Sequence, residues 1–456
     1  CGASSSPQPD IGALRMPWSE HDRVLRPASC HPLARKPGTM PHTTTIIIGA
    51  GAAGLATSRC LSDRGIDHVV LERGRVANSW KTERWDSLRL LTPNWMTRLP
   101  GFSYGGPDPD GFMTMPEVSS FFDAYARSFK APVQEETTVL SAHQHEGGYT
   151  VATDQGTWRA RTMVVATGAC STPNIPAASS SVPGGIVQIA PTQYRNAKAL
   201  PPGGVLVVGA SASGLQLADE IRRAGRDVTL AVGTHTRLPR TYRGRDMQWW
   251  LDVTGTLDAR YDEVRDIARA RREPSLQLVG TEDHRTLDLG VLAANGVRLA
   301  GRLTGIDCGT ASFAGDLQDQ VDTAEARMHR LLDKVDAWAF MNQMVDIPPA
   351  DRGSEIAVGA GLDSLDLRRE NIGTVVWATG FKPHYPWLDL PVKDERGGLI
   401  HDGGVLPTPG AYVMGLPFMR RRKSTFIDGA GDDARDIVTH PAAHLDATAS
   451  KLAAAS

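Results

Sequence analysis

Two glycine-rich turns of the kind that cradles a dinucleotide lie about 160 residues apart in this one chain, and they constrain its fold more than any other feature. The first is Thr45-Ile46-Ile47-Ile48-Gly49-Ala50-Gly51-Ala52-Ala53-Gly54. The second is Val205-Leu206-Val207-Val208-Gly209-Ala210-Ser211-Ala212-Ser213-Gly214. Each follows a β-branched apolar run and precedes an Ala- and Leu-rich helical stretch. In that context Gly49, Gly51, Ala53 and Gly54 permit a tight bend, close approach to a pyrophosphate, and helix–strand packing. Gly209, Ser211, Ser213 and Gly214 hold the same positions in the second turn. The pair predicts an α/β chain with two Rossmann-like dinucleotide-binding units that pass electrons between two cofactors.

Bulk properties narrow the partners. At 456 residues the chain is long for one core, so two domains with elaborations are expected. Fifty-one acidic residues against 49 basic ones give no electrostatic case for nucleic acid or an anionic membrane. No apolar stretch reaches the roughly 18 residues of a membrane span. The five cysteines (Cys1, Cys30, Cys60, Cys170, Cys308) form no C-x-x-C or C-x-x-x-x-C pair. This argues against a metal site and against a disulfide reductase, which needs a dithiol beside its flavin, and it fits a reducing cytoplasm. The Pro- and Arg-rich start reads as a disordered extension over residues 1–41, with Met40 as the expected start of the folded chain. A lipoprotein beginning at Cys1 is the alternative.

The pattern along the chain suggests an insertion. A helix after the first turn leads to a second strand, Gly65–Glu72. A loop-rich stretch follows from Arg73 to Pro116, then a helix over Glu117–Ser128 and a β-rich segment ending at Gly168. The second unit has its own second strand at Val228–Val232, and Met247–Met344 reads as mostly helical. In Leu317–Phe340 the residues Leu317, Val321, Met328, Leu331, Val335 and Trp338 share one face, read as core packing with a homodimer contact as the alternative. The expected organisation is a first part of the first nucleotide unit over 42–180, the second nucleotide unit with a helical insertion over 195–345, a second part of the first unit over 350–445 and a tail over 446–456.

The two turns differ where the nucleotide is chosen. Glu72 ends the first unit's second strand, where a carboxylate accepts from both ribose hydroxyls and repels a 2′-phosphate; this suits FAD or NAD. In the second unit the equivalent strand runs into Gly233-Thr234-His235-Thr236-Arg237-Leu238-Pro239-Arg240, with no acid. Guanidinium matches a phosphate dianion, so NADPH is expected there, with Arg237 and Arg240 reaching its 2′-phosphate. Two further segments repeat: Ala166-Thr167-Gly168 and Ala378-Thr379-Gly380 each follow an apolar strand, one after each turn. They suit crossings close to a bound nucleotide.

These residues resemble the class B flavoprotein monooxygenases, nearest the plant auxin-synthesis flavin monooxygenases and their bacterial relatives. The resemblance is carried by Trp80–Pro100, His235–Arg240, Ala378-Thr379-Gly380-Phe381, Pro386-Trp387-Leu388, Gly415-Leu416 and Gly429–Ile437. It implies FAD on the first unit, NADPH on the second, and oxygen transfer from a flavin C4a-(hydro)peroxide to a small organic substrate. It also implies that Arg73, Trp80, Leu91 and Gly415 lie about the flavin, with a terminal helix from near Gly431 aimed at its pyrimidine. The chain departs from the family at two places. Gln188 or Ala190 stands where a histidine is usual, although Tyr194 fits. Leu91 replaces an asparagine, with Asn94 three residues on. An NADPH oxidase that releases peroxide is therefore a second reading, and a non-catalytic redox sensor a third. No catalytic acid or base is assigned; His384, Tyr385, Gln193 and Arg84 are the cavity candidates.

Overall fold

A computed structural model of the chain describes residues 41–353, 355–359 and 361–455. The extension expected over 1–41 lies outside the described residues except for Pro41, whose carbonyl accepts from Arg159 N at 3.0 Å.

The first sheet begins at the apolar run Ile46-Ile47-Ile48. Strand β1 (His42–Ile48) feeds helix α1 (Ala52–Ser62), and the chain returns as β2 (His68–Leu71). Ile47 sits opposite Val70, and both side chains are fully buried. Helix α2 (Met115–Ser128) starts two residues before its expected position, because Thr114 and Glu117 form a capping box with Pro116 in the first turn. Strands β3 (Val133–Gln134), β4 (Val139–His145), β5 (Gly148–Thr153) and β6 (Gly156–Val165) complete this part. The long β6 has two roles. Its first half, Gly156–Ala160, pairs antiparallel with β5, while Arg159–Val165 runs parallel to β1.

The chain then builds a second, wholly parallel sheet. Its elements are β7 (Val187–Ile189), β8 (Gly204–Val208), helix α3 (Ala212–Arg223), β9 (Val228–Ala231), helix α4 (Leu289–Ala294), β10 (Arg298–Ala300), helix α5 (Leu317–Met341) and β11 (Ile372–Trp377). The order is β10-β9-β8-β11-β7. Afterwards the chain rejoins the first sheet through β12 (Leu388–Asp389) on β4 and β13 (Ala411–Val413) on β6, and ends in helices α6 (Ile427–Ile437) and α7 (Thr439–Ala455). The second unit is thus inserted into the first.

Four expectations need correction. The 350–445 segment is expected to belong wholly to the first unit, yet β11 belongs to the second, with Val376 opposite Val207. The second sheet likewise begins at Val187, before residue 195. The region after Met247 is less helical than expected: it contains β10 and a hairpin of Leu303–Asp307 with Thr310–Phe313. Along α5 the buried stripe is Leu317, Val321, Ala324, Met328, Leu332, Val335 and Ala339, whereas Leu331 and Trp338 are half-buried. Steps of three and four residues from Met328 lead through Leu332 and Val335 to Ala339, which keeps one face inward. No helix among the described residues is long and apolar enough to cross a membrane.

Candidate functional site

The two glycine turns are built alike. Gly49 and Gly209 share a φ of +106°, in the left-handed region that favours glycine. A Cβ on Gly49 would lie 2.5 Å from the Ala166 carbonyl oxygen, and one on Gly209 would lie 2.4 Å from that of Ala378. At the third glycine, a Cβ on Gly54 would meet Gly49 O at 1.9 Å, and one on Gly214 would meet Gly209 O at 1.8 Å. The middle position differs in kind: around Gly51 a Cβ would meet nothing within 4 Å. Gly51 and Ser211 cap α1 and α3 with nearly the same backbone (φ −83°, ψ −168° and φ −76°, ψ −175°), and neither helix start has a side-chain cap bond. Free N–H groups, a positive helix end and open space above Gly51 fit a pyrophosphate. Ala53 and Ser213 are half-buried behind the turns. Gly415 (φ +78°) packs so closely that a Cβ there would be 3.0 Å from Ala53 Cβ.

Around the first turn Glu72 is buried. Its Oε2 accepts from Ala50 N at 2.8 Å and its Oε1 from Gly74 N at 2.9 Å, so the carboxylate stands against the turn. Arg73 instead points to the surface and pairs with Glu83 at 2.6 Å. The short helix Asn78–Thr82, which carries Trp80, is tied to the turn by Ala77 N donating to Ala50 O at 3.0 Å. Trp80 stacks on Phe122 with centroids 6.2 Å apart, and the Arg84 guanidinium lies 5.2 Å from the Trp80 ring. Burial lowers the Arg84 pKa.

The residues at the family's two variant positions carry structural bonds. Leu91 offers its carbonyl to Arg240 Nη1 at 2.8 Å. Both ends of the Asn94 amide are engaged, with Nδ2 donating to Asp108 O at 2.9 Å and Oδ1 accepting from Met113 N at 2.8 Å. Gln188 Oε1 accepts from the Trp377 indole at 3.0 Å, and Gln193 Oε1 accepts from Ala190 N at 2.9 Å. Tyr194 donates to Glu220 at 2.8 Å. Tyr385 is buried and His384 exposed.

At the end of β9 no acid stands, but the two arginines expected to meet a phosphate are turned inward. Arg237 is buried and pairs with Asp288 at 2.9 Å and Glu325 at 2.7 Å. Arg240, 1% exposed, is clamped by Asp246, by the carbonyls of Leu91 and Val279, and by the Phe112 ring at 4.8 Å. Their assignment to the 2′-phosphate is therefore corrected: buried Asp288 and half-buried Glu325 hold Arg237, and Arg240 ties the second unit to the Leu91 loop. Sequence reading missed Arg302, which follows β10 and donates from Nη2 to Thr234 Oγ1 at 3.3 Å. It lies 68 residues from Thr234, and only the pairing of β10 with β9 brings them together. A cavity of about 580 Å³ opens beside Arg237 among Tyr242, Arg243, Asp288 and Arg352, and no residue of either glycine turn lines it.

The chain that follows the first Ala-Thr-Gly segment crosses the second one. Thr379 Oγ1 donates to Asn174 O at 2.6 Å, Asn174 N to Gly380 O at 2.9 Å, and Lys382 N to Thr172 O at 2.9 Å. Thr167 precedes Gly168 (φ +75°) and Gly380 has φ +83°, so each glycine turns its chain out of the sheet into this antiparallel crossing. The terminal helix starts at Ile427 rather than near Gly431, which lies inside α6 against Pro100.

Residues 46–254 match the family model described as pyridine nucleotide-disulphide oxidoreductase. The chain is 30% identical over 402 residues to an uncharacterised CzcO-like oxidoreductase of Geobacillus kaustophilus, covering 87% of this chain and 98% of that one. It is 33% identical over 210 residues to the probable indole-3-pyruvate monooxygenase YUCCA1 of Arabidopsis thaliana, covering 44% and 49%. In fold it is similar to a flavin-containing monooxygenase from Stenotrophomonas maltophilia, with a TM-score of 0.62 at 18% identity, covering 89% of this chain and all of that one. The chain belongs to the CzcO-like oxidoreductases, and part of it is also similar in sequence to flavin monooxygenases. As a member of this family it is an oxidoreductase.

Proposed function

We propose that this chain is an NADPH-dependent FAD monooxygenase, placing one oxygen atom of O₂ in a small organic substrate and the other in water. The observation that carries this reading is the inequality of two matching turns. Glu72 stands at the first with both oxygens on backbone N–H groups, while the second has no carboxylate at the end of β9. FAD suits the first site and NADPH the second. When bound, the flavin supplies hydride acceptance and oxygen activation. The chain's own residues bind and shield. Gly49, Gly51 and Gly54 admit a pyrophosphate, Trp80 sits on the short helix that Ala77 ties to the turn, and Gly415 closes on Ala53. Thr167, Gly168, Thr379 and Gly380 carry the chain across the boundary between the units. The cytoplasm, where NADPH is kept reduced, is the proposed location.

A peroxide-releasing NADPH oxidase is the second reading. It is favoured by the Asn94 amide, which already holds Asp108 and Met113, and by Leu91, which has no polar side chain to offer. Purified protein is expected to be yellow, to release FAD on denaturation, and to consume NADPH faster when substrate is added. Two-oxo acids are the first class to test, followed by sulfur, nitrogen and ketone acceptors, with products identified by mass spectrometry. Stoichiometric peroxide in every case favours the oxidase. Colourless protein that FAD cannot reconstitute overturns both enzymes.

A further inference from the structure

Near the second turn in sequence, no charged residue is placed to select the nucleotide. Arg237 and Arg240 are buried in ion pairs on the inner side of their loop. A selecting charge must come from a neighbouring strand. Strand β10 runs parallel beside β9 with Ala300 opposite Ala231, and Val232 N donates to Ala300 O at 2.9 Å. One step beyond that contact the two chains diverge as Gly233-Thr234 and Gly301-Arg302. The Arg302 side chain then reaches back to Thr234, with Nη2 to Oγ1 at 3.3 Å.

Three properties distinguish Arg302 from the chain's structural arginines. Its side chain is 55% exposed, against 8% for Arg237 and 1% for Arg240. Its nearest carboxylate oxygen, Asp316 Oδ2, is 3.8 Å from Nε, beyond hydrogen-bond length, and Asp316 is engaged elsewhere by Arg302 N at 2.9 Å and Gln320 at 3.0 Å. An exposed pair at that separation holds the guanidinium weakly. Beside it, a Cβ on Gly233 would meet nothing within 4 Å, so the approach is open. Charge nearby has the matching sign: Arg327 donates to the carbonyl of buried His235 at 3.1 Å. After burial, the charges of Arg327 and Arg237 help keep that imidazole neutral.

We propose that Arg302 and the Thr234 hydroxyl form the 2′-phosphate site of the second unit, selecting NADP(H) over NAD(H) at the end of β10. The planar guanidinium fits two phosphate oxygens. Thr234 Oγ1 accepts from Arg302 and keeps its own proton to donate to a third. The assignment rests on the reading that a nicotinamide nucleotide occupies this turn, and it replaces Arg237 and Arg240 as selectors.

Calorimetric titration with 2′,5′-ADP and with 5′-ADP tests this without turnover. Wild type is expected to bind 2′,5′-ADP at least tenfold more tightly than 5′-ADP. Arg302→Ala is expected to weaken 2′,5′-ADP by ten- to a hundredfold and leave 5′-ADP unchanged, with Arg302→Lys between. Thr234→Val should lose a few-fold on the 2′-phosphate alone. In flavin reduction, the NADPH-to-NADH ratio should fall in the same order. A wild type that discriminates while Arg302→Ala discriminates equally overturns the Arg302 assignment and leaves NADPH standing. A wild type that binds both probes alike overturns the NADPH reading, and this inference with it. Because Arg302 is exposed, unchanged thermal unfolding of its variants is the expected control.

Discussion

The carbonyl of Ala166 occupies the space that a Cβ on Gly49 would need, 2.5 Å from the ideal position, and Gly49 holds a φ of +106°. Strain and a backbone clash therefore act together. Gly49→Ala should cost more than the roughly 1–2 kcal/mol of a left-handed residue, because the Ala166 strand end must also move. Gly209 has the same relationship to Ala378 at 2.4 Å. Gly49→Ala should lose flavin, whereas Gly209→Ala should keep flavin and lose nicotinamide nucleotide binding. Flavin absorbance per chain, with nucleotide titration of each variant, checks this; a Gly209→Ala protein stripped of flavin contradicts the division of labour.

Glu72 should matter to the apoprotein as well as to the cofactor. Glu72→Ala leaves Ala50 N and Gly74 N without acceptors, at a cost of about 1–3 kcal/mol. It also removes the carboxylate proposed to meet the FAD ribose, so FAD should dissociate at least tenfold more readily. Glu72→Gln keeps one acceptor and should fall between. Urea denaturation of apoprotein and FAD fluorescence on release measure the two effects separately. FAD retention equal to wild type in Glu72→Ala would remove Glu72 from the site.

What was legible in the sequence was local. The runs Thr45–Ile48 and Val205–Val208 announce central strands because β-branched residues suit a sheet buried on both faces, and the glycines after them mark forced backbone. Address was not legible. Ile372–Trp377 reads as a strand from its apolar run, but only pairing with Val205–Val208 places it in the second sheet. Arg298–Ala300 is three residues long, too short to show any period. The arginines failed for a related reason. Arg237 is three residues from Thr234 yet turns to Asp288 and Glu325, whereas Arg302, far along the chain, touches Thr234.

Arg240 should behave as a structural residue. Removing it leaves Asp246 half-paired and frees the carbonyls of Leu91 and Val279 inside the protein. Arg240→Ala is expected to cost about 3–5 kcal/mol, and Arg240→Ala with Asp246→Ala less than the sum of the two singles. Nucleotide preference should not change in whatever fraction folds. Chemical denaturation of the four proteins in this cycle gives the coupling. A selective loss of 2′,5′-ADP binding in Arg240→Ala at unchanged stability would restore it as a phosphate ligand.

His401 should make the fold acid-sensitive. Burial, and then the nearby Arg271 charge, push its pKa down to about 4 from the usual 6.5, with Asp402 only partly opposing them. Its Nδ1 accepts from Gly404 N at 3.2 Å, a bond that needs the unprotonated nitrogen. Above about pH 6.5 the ring is neutral folded and unfolded, and its contribution is fully present. As pH falls from there the unfolded chain takes up a proton that the folded chain refuses, so stability declines until about pH 4, where the folded ring also titrates. The loss should reach about 2–3 kcal/mol after allowance for partial exposure. His401→Asn can still accept from Gly404 but cannot titrate. Urea midpoints at pH 7.5 and 4.5 should therefore fall less in the variant, while losses from carboxylates and from the buried rings of His68 and His235 remain common to both proteins. Equal losses would show that the His401 ring is protonated without cost in the folded state.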